Sequence, residues 1–223
     1  MVIQNLSFGF KKHPIFSGIN MVFEKGKVTG VVGQNGVGKT TLFRVIKGIY
    51  RSQQGSIHFN GDQILKRDIG FLPTDPYFYP YMKGKEYLEL ILGTKNNDKI
   101  ADLLGLRLEE FVHNYSTGMK KKIAFAALIE QNKPINILDE PFNGVDLESN
   151  VILRKLISSR SPEKVTIISS HILESMMDLC DKIYFIKEGF QYKLYSKESY
   201  GLLQKELSDS ITYKVEKYNK YNT

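Results

Sequence analysis

The hydrophobic pattern of the first third of the chain reads as short strands, and it switches to a helical period in the middle. Val2–Phe10 and Ile19–Glu24 read as short strands separated by a turn at Lys12-His13-Pro14. Lys27–Val32 is a nearly continuous apolar strand, and the stretch from Thr41 to Ile49 behind it has amphipathic helical spacing. Gly55–Asn60 is a further strand that closes on the Asn60-Gly61 turn pair, and Asp68–Leu72 a short one that ends at Pro73. From Lys83 to about Gln131 the pattern is helical: Tyr87, Leu88, Ile91 and Leu92 share a face, and Gly93 and Gly105 act as stops. After that, strand Ile135–Leu138, helix Leu147–Ser159, strand Val165–Ser169, helix Leu173–Cys180 and strand Lys182–Ile186 follow in turn. This alternation predicts an α/β fold whose parallel sheet is joined by crossover helices. Past Gly189 the pattern gives a hairpin, a helix near Glu198–Leu207 and a polar end, where Asn219–Thr223 are expected to be poorly ordered.

Composition narrows the class without naming a chemistry. The 223 residues are 42% hydrophobic and 25% charged, as in an ordinary globular domain. No stretch approaches the ~20 apolar residues that span a bilayer. The start, Met1-Val2-Ile3-Gln4-Asn5, has neither a basic segment nor an apolar core, so a signal peptide is not expected. The single cysteine, Cys180, agrees with a reducing compartment and sits among Ile172, Met176 and Leu179, which reads as a packed core thiol. The net charge of +7 comes from lysines spread along the chain, including Lys120-Lys121-Lys122, with no long basic block. A solvated surface is the favoured reading, proximity to an anionic membrane face comes second, and no nucleic-acid partner is expected.

The chemistry lies in Gly33-Gln34-Asn35-Gly36-Val37-Gly38-Lys39-Thr40-Thr41. Its spacing, G-x-x-x-x-G-K-[ST] between a strand and a helix, is that of a loop that cradles nucleotide phosphates. Gly33, Gly36 and Gly38 let successive N–H groups curl around an anion, and the helix N-terminus adds its partial positive charge. Asn35 and Thr41 lie in the same cradle, Lys39 reaches the outer phosphates, and the Thr40 hydroxyl ligates Mg²⁺. A hundred residues on, Ile135–Leu138 ends in Asp139-Glu140. At the carboxyl edge of the sheet Asp139 is placed to hold Mg²⁺, and Glu140 to face the γ-phosphate and orient the attacking water.

With those elements in place, the chain resembles the nucleotide-binding domain of the ABC (ATP-binding cassette) superfamily over essentially its whole length. Five segments carry the resemblance. Tyr115-Ser116-Thr117-Gly118-Met119 is similar to the family signature, Asn143-Gly144-Val145-Asp146 to its D-loop, and Ser170-His171 to the switch-histidine segment. Ile69-Gly70-Phe71-Leu72-Pro73 resembles the approach to the Q-loop, and Phe10 stands in the place of the adenine-stacking aromatic, with Phe8 as a rival. The resemblance implies a P-loop NTPase core with a mainly parallel sheet, an N-terminal antiparallel β subdomain and an inserted helical subdomain. Residues 1–223 then form one ATPase domain, with the helical subdomain at 82–132 and a short C-terminal extension at 190–223. It also implies that Ser116 and Gly118 bind the γ-phosphate of ATP held by a second subunit, that His171 contacts that phosphate, and that Phe10 stacks on adenine. Taken locally, an ordinary helix cap is the commoner role of such a serine.

The chain departs from the family at three places. Thr74-Asp75 stands where the glutamine is expected; a bridging water, substitution by Asp75 and altered coupling are all open. Thr117 and Met119 replace a glycine and a glutamine of the signature, and Asn136 interrupts the strand before Asp139. The resemblance implies an exporter-type ATPase subunit that drives separate integral membrane permease subunits. It would pair with itself or a similar ATPase on ATP binding, at the inner face of the cell membrane. The exported cargo class is peptides, drugs or lipids, with the permease docking near Thr74–Tyr81. A soluble, non-transport member of the family, such as an iron–sulfur assembly ATPase, is the alternative. A P-loop kinase or GTPase would leave Ser116, Gly118 and His171 unexplained, and no Asn-Lys-x-Asp motif stands in the expected place.

Overall fold

A computed structural model of the chain describes residues 1–11, 13–93, 99–159 and 161–221. Its elements, in chain order, are β1 (Val2–Phe10), β2 (His13–Val22), β3 (Val28–Gly33), α1 (Lys39–Ile46), β4 (Gln54–Phe59), β5 (Asp62–Gln63) and β6 (Ile69–Leu72). Then come α2 (Gly84–Leu92), α3 (Lys99–Leu103), α4 (Thr117–Glu130), β7 (Ile135–Asp139), α5 (Leu147–Ser158), β8 (Val165–Ser170), α6 (Glu174–Met177), β9 (Lys182–Ile186), β10 (Tyr192–Ser196) and α7 (Tyr200–Tyr221).

Two sheets result. One is antiparallel, in the order β2-β1-β4-β5. The other runs β10-β9-β3-β8-β7-β6, parallel throughout except for β10, which folds back antiparallel on β9. Side-chain alternation divides the second sheet between two cores. Val31, Ile137 and Ile167 face the antiparallel sheet and pack with Ile3, Leu6, Phe16 and the α1 residues Leu42 and Phe43. Val32, Leu138 and Ile168 face the other way, against Leu88, Phe125, Leu153 and Met176 of the helices. The fold is thus the P-loop α/β class expected from the sequence. Because β3, β7 and β8 are adjacent and parallel, the loops after Gly33, Asp139 and Ser170 meet at one edge.

Several boundaries differ from the sequence expectation, and each has a cause. β2 begins at His13 rather than Ile19: Phe10 pairs with His13 and Gly9 with Pro14, so His13 and Pro14 belong to the hairpin strand, while Lys12 lies outside the described residues. Pro14 is tolerated because β2 is a sheet edge. The helix expected over Leu173–Cys180 is only Glu174–Met177. Cys180, fully buried, packs where a Cβ on Gly30 would lie 3.0 Å from its Sγ. Asp181 then exchanges hydrogen bonds with Val28, donating to its carbonyl and accepting its N–H, both at 2.8 Å. These contacts with β3 end the helix. The last helix is longer than expected, because nothing from Ser208 to Tyr221 is Gly or Pro. Asn219–Tyr221 are helical, and 222–223 lie outside the described residues.

Candidate functional site

The turn from β3 into α1 forms the floor of the site. Gly38 caps α1 at φ 108°, and a Cβ there would stand 2.7 Å from Ile15 Cγ2 and 3.1 Å from the Phe190 ring. No other residue fits that space and that backbone. Lys39 is buried, and its Nζ donates to the carbonyls of Gly33 (2.7 Å) and Gln34 (3.1 Å), with Glu140 Oε1 4.0 Å away. Burial lowers the Lys39 ammonium below the usual lysine range, and the Glu140 and Asp139 carboxylates pull it back up.

Asp139 ends β7 at 0% exposure. Its Oδ2 accepts from the hydroxyls of Thr40 (2.7 Å) and Thr74 (2.9 Å), and its Oδ1 from Ser169 (2.5 Å). Thr74, in the place of the expected glutamine, therefore reaches the site directly. Asp75 does not replace it at Asp139; its charge acts on Lys121. Two hydroxyls and a carboxylate form a hard, all-oxygen donor set of the kind Mg²⁺ accepts alongside phosphate oxygens and water. Among the described residues no group of three or more His, Cys, Asp or Glu is placed to hold a metal ion, so a metal here depends on such a mixed set.

Glu140 follows at φ 50°, a left-handed backbone that is uncommon outside glycine. Its N–H donates to Ser169 Oγ at 3.0 Å, and its two carboxylate oxygens lie 3.2 and 3.1 Å from His171 Nδ1. A cavity of about 400 Å³ joins these groups and is lined by Asn35, Gly36, Gly38, Lys39, Thr40, Thr41, Glu140 and His171, together with Ile15, Thr74 and Asn143. Gly33 joins through its carbonyl on Lys39 and Asp139 through Thr40.

Ser116, Gly118 and Phe10, like Gly33 and Asp139, do not line that cavity. Ser116 caps α4, its Oγ accepting from Met119 N–H at 3.2 Å. Gly118 packs against the 140–146 loop: a Cβ there would meet the Gly144 carbonyl at 2.6 Å. Phe10, 45% exposed, stands edge-on to Phe8 and Tyr50 at the tip of the β1–β2 hairpin. Sequence reasoning missed Ile15, Thr74 and Ser169 as members of the site. Thr74 had a signal, since it stands at the departure from the family pattern; Ile15 and Ser169 look like ordinary strand residues.

The fold and this cluster belong to an ATP-hydrolysing class, and comparison with known proteins gives the same answer. Residues 16–143, more than half of the chain, match the ABC transporter family. The lantibiotic transport ATP-binding protein SrtF of Streptococcus pyogenes is 35% identical over 198 residues, covering 84% of this chain and 86% of SrtF. The ABC transporter ATP-binding protein NatA of Bacillus subtilis is 32% identical over 214 residues, covering 87% and 86%. A solved ATP-binding subunit of an ABC transporter superposes with a TM-score of 0.81 at 23% identity, covering 95% of this chain and 98% of that one, which shows the fold. The chain belongs to the ABC transporter family. It is an ATP-binding subunit of a transport system and an ATPase whose hydrolysis is coupled to transport. Among the described residues no helix is long and apolar enough to cross a membrane.

Proposed function

We propose that this subunit powers a separate membrane permease as one of two ATPases that close head to tail on ATP, at the inner face of the cell membrane. Residues 1–223 act as one ATPase domain, with a helical subdomain at 82–132 and an extension at 190–223. The observation that carries the proposal is the convergence of Lys39, Thr40, Asp139, Glu140 and His171 from three adjacent parallel strands. The 33–38 amides and the N-terminus of α1 take the phosphates. Lys39 exchanges its two loop carbonyls for the outer phosphates, a stronger, charge-assisted pairing. Thr40 and Asp139, with Thr74 beside them, would hold a magnesium ion, which would supply neutralisation of the phosphate charge. Glu140 orients the attacking water and takes its proton, and His171 holds the Glu140 carboxylate from the rim.

The second copy supplies Ser116 and Gly118, which stand outside the cavity of their own chain. Phe10 stacks on adenine, a contact worth ~1–3 kcal/mol. The permease docks on Pro76–Tyr81, where the rings of Tyr77, Tyr79 and Tyr81 are exposed. Export is the direction and peptides, drugs or lipids the cargo class; peptides come first because SrtF is named for lantibiotic transport.

Glu140→Gln tests the reading. It is expected to bind ATP as the parent does, to lower kcat by at least about 100-fold, and to accumulate an ATP-bound dimer on gel filtration. Hydrolysis at the parent rate would remove Glu140 from the mechanism. Lys39→Ala is expected to weaken nucleotide binding, and unchanged ATP affinity by calorimetry would dismiss the phosphate-loop assignment.

A further inference from the structure

Lys121 is a cation buried to 3% exposure that the nucleotide chemistry does not use. The sequence places it in a run of three lysines that reads as solvated surface, yet only this one turns fully inward. A buried ammonium is costly unless it is paired. Lys121 Nζ donates to the main-chain carbonyl of Glu140 at 2.9 Å. The carboxylates of Asp75, Glu140 and Asp139 oppose the loss of its charge on burial.

The residue it grips is one whose backbone needs holding. Glu140 sits at φ 50°, a conformation that costs about 1–3 kcal/mol and persists only where the surroundings over-determine it. Ser169 Oγ fixes the N–H of Glu140 and Lys121 fixes its carbonyl, so both peptide groups flanking the Cα are pinned. That sets the direction of the Cα–Cβ bond, and with it where the carboxylate meets His171 and Lys39. Lys122 ties the far end of the same loop, donating to Asp146 Oδ2 (3.4 Å) and Ser149 Oγ (3.2 Å).

We propose that Lys121 is a positioning residue for hydrolysis: its ammonium holds the left-handed turn that aims Glu140, and so ties that aim to α4, whose N-cap is Ser116 and whose first turn carries Gly118. The inference rests on Glu140 acting as the base. A misplacement of about 1 Å in a reacting group can cost on the order of 100-fold in rate.

The test uses the full chain and compares Lys121→Met, Lys121→Arg and Glu140→Gln, measuring kcat and KM for ATP, fluorescent-nucleotide affinity and thermal melting. Lys121→Met is expected to lower kcat by about 10- to 100-fold with KM and nucleotide affinity within about threefold of the parent, and Lys121→Arg to recover most of the rate by restoring a donor. Lys121→Gln, one bond shorter but still polar, carries the same expectation as the methionine variant if that one does not fold. A merely structural lysine would lower the melting temperature and leave kcat per nucleotide-binding site unchanged, which overturns the proposal. In the Glu140→Gln background, Lys121→Met is expected to add less than a twofold effect, because both act on one step. A full multiplicative loss there also overturns it. If Glu140→Gln is slow while Lys121→Met hydrolyses at the parent rate, the inference alone fails. If Glu140→Gln itself keeps the parent rate, the base assignment fails first and takes the inference with it.

Discussion

Ser169→Ala is expected to destabilise the protein well beyond an average buried serine. The side chain is fully buried, and its one hydroxyl does two things. It donates to Asp139 Oδ1 at 2.5 Å and accepts the Glu140 N–H at 3.0 Å. Losing a hydrogen bond to a charged group costs about 1.5–3 kcal/mol, and stranding a buried N–H costs about 1–3 kcal/mol. The two losses do not add in full, because Asp139 keeps the hydroxyls of Thr40 and Thr74 on its other oxygen. About 3 kcal/mol is the resulting figure, and at ~2–4 °C per kcal/mol for a chain of this size the melting temperature falls by roughly 6–12 °C. Thermal unfolding followed by far-UV circular dichroism at neutral pH without nucleotide measures it. Ser170→Ala is the control: its hydroxyl meets Ser175 Oγ (3.3 Å) and the Ile172 N–H (3.0 Å) and no charged group, so a shift of only about 2–4 °C is expected. If Ser169→Ala melts within about 2 °C of the parent, or no lower than Ser170→Ala, then Ser169 does not organise the two acids.

Two further outcomes follow from the same geometry. Gly118→Ala should gain up to about 1 kcal/mol from helix propensity, but its Cβ would lie 2.6 Å from the Gly144 carbonyl, a main-chain atom that cannot swing aside. Overpacking of about 1–3 kcal/mol wins, so the variant is expected to melt below the parent, and a higher melting temperature would show that the 140–146 loop yields freely. Glu206 fastens α7 to the β9–β10 hairpin through Lys187 and Tyr195, with Lys193 Nζ at 3.6 Å, and those partners hold its carboxyl down at about 2, first through the Lys187 hydrogen bond. A depressed carboxyl pKa contributes stability that is full above the ordinary value near 4.5 and lost as pH falls through about 2. Protection of the α7 amides, taken relative to their intrinsic exchange rate at each pH, should therefore fall across that window, and Glu206→Gln should lower it already at neutral pH; protection that does not change with pH would remove this latch.

Legibility from sequence tracked how local each signal is. The phosphate loop and the strand ending in Asp139-Glu140 could be read because their chemistry is written in consecutive residues, and β3 and β8 because they are short runs buried throughout between helical segments. Elements set by distant contacts were misjudged: β2 by its pairing to β1 across Pro14, and α6 by the grip of Cys180 and Asp181 on β3. The site divides along the same line. Most residues facing the cavity, Ile15 and Thr74 apart, carry family spacing, while those that aim them carry none. Ser169 looks like the last polar step of a buried strand, and Lys121 like one of three surface lysines. A weak signal did exist for Lys121, since it shares an α4 face with the buried Phe125 and Leu128 at i+4 and i+7. Its partner is a backbone carbonyl, an acceptor every residue has, so no pattern of side chains could announce the pairing. On the proposed function, the motif marks the groups that would meet ATP, whereas the angle at which Glu140 would meet it depends on an unusual φ and two main-chain hydrogen bonds, from Ser169 and Lys121. A chain that kept every motif residue but lost either side chain would keep the look of an ATPase and, on this argument, hydrolyse poorly.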